Sequence, residues 1–344
     1  MRPVWSIIIL TIFASIAEGV VIFLTTAEIT ATLGFASPLP ADSRLITAIV
    51  ALSFLLAALL ASFFNLANKS RGIKAIMRWK TSWISRKVIL FPIFSAMIFF
   101  YTVMLYFEIG STLRGAIIFA ASLTGLMLVI SSAMIYYSIK FVKEWATLYT
   151  ILNFIAVGLA IGSFTFIAIL EFTNLSLIEH MAIIDFGLAL IFIALLIKTG
   201  SLIRNDSIYS SITSKSALQF ESDKIELIDN GAAYPHYNTV EYFHISGKRK
   251  IPIGRIAMIV LTFLLPIIGL LIKYYFKAQF AIEPSLIFSI LLLMIIGGLI
   301  ERWLFFVDSN HVQNIFYGNY QVKNKINPIL TAGRDYRKMV INSK

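Results

Sequence analysis

Long apolar runs dominate this chain, and short polar segments separate them. A helix needs about 20 mostly apolar residues to cross the hydrocarbon core of a bilayer. The runs are continuous, whereas the strands of a membrane barrel alternate apolar and polar residues. Eight windows meet the length requirement: 4–25, 45–66, 88–107, 115–137, 148–170, 180–197, 256–275 and 284–306. The pattern therefore predicts an all-α polytopic membrane protein, a bundle of eight transmembrane helices.

The composition agrees with a chain whose main partner is the lipid bilayer. Hydrophobic residues make up 58% of the 344 residues and charged residues only 14%, whereas soluble chains carry roughly 25% charged residues. The chain has no cysteine, which excludes disulfides, thiolate-held zinc and iron–sulfur clusters ligated by this chain. The net charge of +11 indicates loops that face anionic lipid; no nucleic acid partner is expected.

Lysine and arginine are distributed unevenly between the two sets of predicted loops. The loop after the second window holds seven cations and no acid: Lys69, Arg71, Lys74, Arg78, Lys80, Arg86 and Lys87. The positive-inside rule then places both termini in the cytoplasm. One membrane domain covers 1–344, with a long cytoplasmic loop at 198–255 and a cytoplasmic tail at 307–344. An interfacial tryptophan belt is expected on the same side: Trp5, Trp79, Trp83, Trp145 and Trp303.

Residues 73–86 form an amphipathic segment within this basic loop. On a helical wheel, Ile76, Trp79 and Trp83 share one face, while Arg78, Ser82 and Arg86 share the other. This pattern is typical of a helix that lies in the membrane interface, so we expect a cytoplasmic interfacial helix here. Two interpretations stay open: a topology determinant that contacts lipid, or the rim of a pocket for an amphipathic ligand.

Ionisable residues inside the windows are the remaining candidates for chemistry, because charge in a membrane span is costly. Glu18 lies near mid-span, whereas Asp185, Glu301 and Arg302 lie closer to span ends. The four histidines lie outside mid-span, and no catalytic or metal-ligating arrangement is predicted. The spacing of Gly158 and Gly162 indicates helix packing. Two classes remain: a small transporter with Glu18 as its proton-coupled carboxylate, or a membrane subunit that docks a soluble partner.

Two segments resemble one known family. "ASFFNLANKSRGIKAIMRWKTSWISRKV" at 61–88 and "ERWLFFVDSNHVQNIFYG" at 301–318 resemble membrane-anchor subunits of dimethyl sulfoxide reductases, in the branch associated with sulfite dehydrogenase complexes. The resemblance implies a subunit of the bacterial plasma membrane that anchors a molybdopterin catalytic subunit and a four-cluster iron–sulfur subunit. Such subunits bind no cofactor themselves and exchange electrons with the quinone pool in anaerobic or sulfur-compound respiration.

The same resemblance implies a quinone site beside the basic loop. Its candidate residues are Asn65, Arg71, Trp79, Ser82, Trp83, Arg86, Lys87 and, as a proton acceptor, Glu18. The family pattern has histidine where this chain has Asn65 and glutamate where it has Lys87. An amide can hydrogen-bond a quinone oxygen, but it cannot take a quinol proton as histidine can. Either proton transfer involves Glu18, or this anchor has lost quinone chemistry. Glu301 and Arg302 are expected to be structural or docking residues.

Overall fold

The computed structural model describes residues 3–65, 76–173, 181–208, 218–219, 250–275 and 284–311, and within them it contains helices and no strands. Eight of the helices are long and apolar enough to cross a membrane, which confirms the predicted bundle. They are α1 (Trp5–Thr32), α2 (Ala41–Asn65), α3 (Trp83–Tyr106), α4 (Ser111–Tyr137), α5 (Leu148–Phe172), α6 (Met181–Asp206), α7 (Ile251–Tyr275) and α8 (Pro284–Val307). Two π-helical turns, Val260–Leu264 and Leu271–Tyr275, interrupt α7.

Helices α1 and α5 form the centre of the bundle. About 78% of each apolar segment is buried inside the protein, compared with half or less for each of the other spans. The two helices run in the same direction and cross where they carry glycine. A Cβ atom on Gly162 would lie 2.6 Å from the backbone of Gly19, and one on Gly19 would lie 2.4 Å from the carbonyl oxygen of Gly158. Gly158 and Gly162 are thus packing positions, as their spacing predicts.

The remaining helices surround this central pair. Helices α2 and α4 pack on α1, α6 and α8 pack on α5, α3 packs on α4 and α2, and α7 packs on α8. The bundle has two ends, and one of them carries the tryptophans. We call it the tryptophan end: α1, α3, α5 and α7 begin there, and α2, α4, α6 and α8 end there. The opposite end is called the far end.

An aromatic cluster fills part of the tryptophan end. Tyr136, Trp145 and Phe305 pack together with ring centroids 5.1–5.3 Å apart, and the Trp145 indole donates a hydrogen bond to the Phe305 carbonyl oxygen at 3.0 Å. Trp145 is therefore buried and does not belong to the interfacial belt in which the sequence places it. Trp5 and Trp79 are both more than half exposed, as residues of such a belt should be.

The predicted interfacial helix at 73–86 is not continuous over its described part. Residues 76–78 form a single 3₁₀ turn, a turn follows at 79–81, and Ser82 is extended. Helix α3 then begins at Trp83, because the Ser82 side chain accepts a hydrogen bond from the Ser85 backbone N–H and so caps the helix. The amphipathic segment is thus divided between a turn and the first turn of a transmembrane helix. Residues 73–75 lie outside the described part.

The predicted cytoplasmic loop at 198–255 is shorter than its expected boundaries. Helix α6 continues to Asp206, and α7 begins at Ile251. The extra turns of α6 are stable because Lys198 and Ser201 turn inward and are buried. Arg255 of α7 donates two hydrogen bonds to Asp206, at 2.7 and 2.9 Å, and one to Asp308 at 2.6 Å. These contacts tie the ends of α6, α7 and α8 together.

Candidate functional site

The start of α3 carries five of the candidate residues in a compact arrangement. The Arg86 guanidinium lies 4.1 Å from the centre of the Trp83 ring. It also donates hydrogen bonds to the carbonyl oxygens of Trp79, at 3.0 Å, and Lys80, at 2.8 Å. Arg86 therefore fixes the turn that precedes α3 and holds the Trp83 indole by a cation–π contact. Trp79 stays exposed beside it.

Lys87 follows directly and is partly buried. Its ammonium lies within electrostatic reach of the Arg302 guanidinium on α8, so the first turn of α3 faces the interior at this depth. Asn65 is the last residue of α2, which places its backbone at the tryptophan end. The Asn65 side chain and all of Arg71 lie outside the described part, and their proposed roles rest on the sequence.

Glu18 lies deeper than the other candidate residues. Its side chain is fully buried, and its Cγ packs where α4 has Gly125, beside the Phe94 ring of α3. Neither carboxyl oxygen has a hydrogen-bond partner. A carboxylate ion would lose its hydration there and gain no hydrogen bond, so the group is stable only as the neutral acid.

The position of Glu18 separates it from the start of α3. Phe94, its neighbour, is seven residues beyond Lys87 on the same helix. At 1.5 Å per residue this corresponds to about 10 Å along the helix axis. Glu18 therefore does not directly touch a ligand confined to the tryptophan end. The sequence shows that Glu18 is a carboxyl group in mid-span, but it does not show how far Glu18 lies from the other candidate residues.

A buried charge cluster lies at the depth of Lys87. The Lys198 ammonium lies 2.5 Å from one carboxylate oxygen of Glu301, and the Arg302 guanidinium lies 2.9 Å from the other. Arg302 also stacks on the Phe154 ring at 3.7 Å. Glu301 and Arg302 are fully buried, and Lys198 is 6% exposed. We call Lys198, Glu301 and Arg302 the buried charge cluster; two cations against one carboxylate give it a net charge of +1.

The cluster changes what the sequence indicates for Glu301 and Arg302. Both side chains point into the bundle, so in this structure neither is exposed to a docked partner, and their contacts join α8 to α6 and α5. Sequence analysis missed Lys198, which lies 103 residues from Glu301. One signal could have identified it. Leu202 and Ile203 continue the apolar pattern of the sixth window beyond Lys198, which places this cation inside the helix.

Ion pairs also hold the helices together at the far end. Glu28 of α1 accepts hydrogen bonds from Arg44 at 3.4 Å and Tyr101 at 3.1 Å. Glu171 of α5 pairs with Lys273 of α7 at 2.7 Å. Asp185 accepts a hydrogen bond from Tyr275. Within the described ranges, no group of three or more histidine, aspartate or glutamate residues is arranged to hold a metal ion.

Comparison with known proteins gives two matches. The family described as DMSO reductase anchor subunit (DmsC) matches residues 1–318 of the chain. One sulfite dehydrogenase subunit, from Allochromatium vinosum, is 30% identical over 329 residues, which cover 92% of this chain and 99% of the relative. No solved structure matches the chain.

Proposed function

The chain belongs to the DMSO reductase anchor subunit family, and on this premise we propose how it works. As the membrane-anchor subunit of a molybdopterin oxidoreductase complex, it docks a four-cluster iron–sulfur subunit and the catalytic subunit on the bacterial inner membrane. It exchanges electrons between these partners and the quinone pool, with both of its own termini in the cytoplasm. The family match over nearly the whole chain is the observation that carries this proposal. Membership in an anchor family also favours this function over the transporter alternative.

The quinone binds at the tryptophan end, between the end of α2 and the start of α3. The stack of Arg86 on Trp83 supports this placement, because it presents a flat amphipathic surface that is already ordered. Lys87 supplies a hydrogen-bond donor for a quinone oxygen on the buried side of that surface. Asn65, Arg71, Trp79 and Ser82 complete the proposed rim.

Proton transfer is the demanding part of this chemistry, since a quinol that gives up two electrons also releases two protons. Asn65 is no base, and Lys87 is a poor one while it is charged. Glu18 as the neutral acid can donate a proton, but it cannot accept one. The structure therefore does not support the acceptor role that the sequence suggests for Glu18, and because Glu18 lies about 10 Å from Lys87 along α3, a proton that it exchanges with the quinone must pass through an intervening group or water.

The test compares two tryptophans at the same end of the bundle. In the purified complex, Trp83→Ala should slow quinol-linked electron transfer about tenfold, equivalent to ~1.4 kcal/mol, because the quinone loses an aromatic contact worth about 0.5–1.5 kcal/mol. Activity with a soluble dye that donates directly to the partner subunits should be unchanged. Trp5→Ala is the matched control, because Trp5 is an exposed tryptophan on α1.

Equal quinol kinetics in the wild type and the Trp83→Ala variant would show that the quinone does not bind at the start of α3. A wild-type complex with dye activity but no quinol activity would indicate an anchor that has lost quinone chemistry.

A further inference from the structure

A polar pocket lies between α5, α6 and α8 at the tryptophan end. It has about 30 Å³ of free space, enough for one or two water molecules. Its lining includes Thr150, Asn153, Lys198, Ser201, Asn205 and Asp308. Glu144 and Ser309 line it as well. Polar side chains in a membrane bundle are costly, so a pocket lined by eight of them indicates a function beyond packing. We call this space the polar pocket.

Asn153 gives an independent indication that the polar pocket holds a polar ligand. The residue is only 5% exposed, and its side-chain oxygen has no hydrogen-bond partner in the protein. An unsatisfied buried acceptor costs about 1–3 kcal/mol. The space beside it is too small for an organic ligand and suits water, which can donate the missing hydrogen bond.

One member of the buried charge cluster, Lys198, belongs to the wall of the polar pocket. Its ammonium contacts Glu301, which lies behind it and away from the pocket. Other charged or titratable groups face this region from several elements. Asp308 and Glu144 also line the pocket, while Tyr136 and Lys87 lie within electrostatic reach of Arg302. Titratable groups therefore lie near the buried charge cluster both at the pocket and towards Lys87.

We propose that the polar pocket is a water-filled proton path that connects the buried charge cluster with the aqueous phase at the tryptophan end. The Glu301 carboxylate first takes up a proton from the inner side. The Lys198 ammonium then gives one proton to a pocket water, and the resulting amine takes the proton from the Glu301 carboxyl, so that the ammonium and the carboxylate are both restored. One proton moves outward, no electron is transferred, and the cluster ends in its starting state. The reverse sequence takes up a proton. The existence of this path does not depend on the proposed function. That a quinol supplies its protons does rest on the proposed function.

The first test measures water access to the polar pocket. Because the chain has no natural cysteine, an introduced cysteine is the only thiol in it. Ser201→Cys places a thiol in the polar pocket. Ser163→Cys is the matched control, because Ser163 is fully buried on α5. Hydrogen peroxide is little larger than water, and in the full complex it should label the first thiol as sulfenic acid at least about tenfold faster, since only a hydrated thiol ionises readily to the reactive thiolate. Labelling rates within twofold of each other would overturn the proposal.

The second test measures proton movement. Ser201→Leu fills the polar pocket, and Thr199→Val is its control, because the Thr199 hydroxyl only bonds the Leu195 carbonyl of its own helix. In the complex, Ser201→Leu should slow quinol-linked turnover about tenfold, a barrier increase of ~1.4 kcal/mol, and raise its solvent deuterium isotope effect. Thr199→Val should leave both unchanged.

The combined outcomes separate this proposal from the proposed function. Fast labelling of Ser201→Cys together with unchanged turnover and isotope effect in Ser201→Leu would show a hydrated pocket that carries no protons, and would overturn the path. A wild-type complex without quinol turnover would instead contradict the proposed function, and the labelling result would still decide whether water enters the pocket.

Discussion

Glu18 and Glu301 show how the same residue type serves two environments in one bundle. Both are fully buried, but Glu301 holds two cations and Glu18 has no hydrogen-bond partner. The sequence identifies both as costly residues within spans. It could not distinguish them, because the partners of Glu301 include Lys198, on another helix 103 residues away. An ion pair of this kind depends on how helices pack, and no periodicity along one helix encodes it.

The contrast predicts that the same substitution lowers stability strongly at Glu301 and hardly changes it at Glu18. Glu301→Gln removes the charge that compensates Lys198 and Arg302, and leaving buried charges unpaired costs ~3–5 kcal/mol. Glu18→Gln replaces a neutral acid by a neutral amide of the same shape and should change the free energy of unfolding by less than ~1 kcal/mol. Unfolding of the two variants by sodium dodecyl sulfate in mixed micelles measures both values. A large loss for Glu18→Gln would mean that Glu18 is charged and paired in the native protein.

Two local sequence patterns, the glycine spacing on α5 and the amphipathic segment at 73–86, differ in how well they predict the structure. Gly158 and Gly162 are spaced for close packing, and α5 does pack closely through them. The matching pair on α1 is Ser15 and Gly19, which are also small residues four positions apart, and Ser15 lies against Gly158. This spacing marks a close crossing on each helix, but it does not say which two helices cross. The amphipathic segment at 73–86 gave the opposite result. Its periodicity predicts one helix, but the Ser82 cap, which depends on local hydrogen bonding, begins α3 within it.

The α1–α5 crossing predicts that two glycine substitutions will differ in sign. Gly162→Ala forces a Cβ to within 2.6 Å of the Gly19 backbone, so the helices must separate, at a cost of ~1–3 kcal/mol. Gly115→Ala on α4 meets nothing within 4 Å and should stabilise the helix by up to ~1 kcal/mol, because alanine has the higher helix propensity. Thermal unfolding in detergent compares the two directly. Equal shifts in both variants would show that α1 and α5 do not contact each other at Gly162.

At the scale of the whole molecule, the eight spans are predictable because bilayer thickness fixes the length of an apolar helix. The arrangement of the spans is not, since every span is apolar enough for lipid. What places α1 and α5 at the centre is the close crossing at Gly19, Gly158 and Gly162, together with polar side chains such as Glu18 and Asn153 that need protein around them. The contacts of Lys198 with Glu301 and of Arg302 with Phe154 then hold α6 and α8 together and against α5.

The distribution of charge between the two ends predicts the orientation of the bundle. At the far end, Arg44 and Lys273 are paired with Glu28 and Glu171, whereas the segment 66–87, which includes the start of α3, holds seven cations and no acid. Translocating such a segment is disfavoured, so the tryptophan end should face the cytoplasm, the side on which we propose that partner subunits dock. Single cysteines in this cysteine-free chain test the orientation: Ser111→Cys at the far end should react with an impermeant maleimide in intact cells. Ser207→Cys, exposed at the tryptophan end, should react only after permeabilisation. The reverse pattern would place the tryptophan end on the side away from the cytoplasm, and would contradict the orientation in the proposed function.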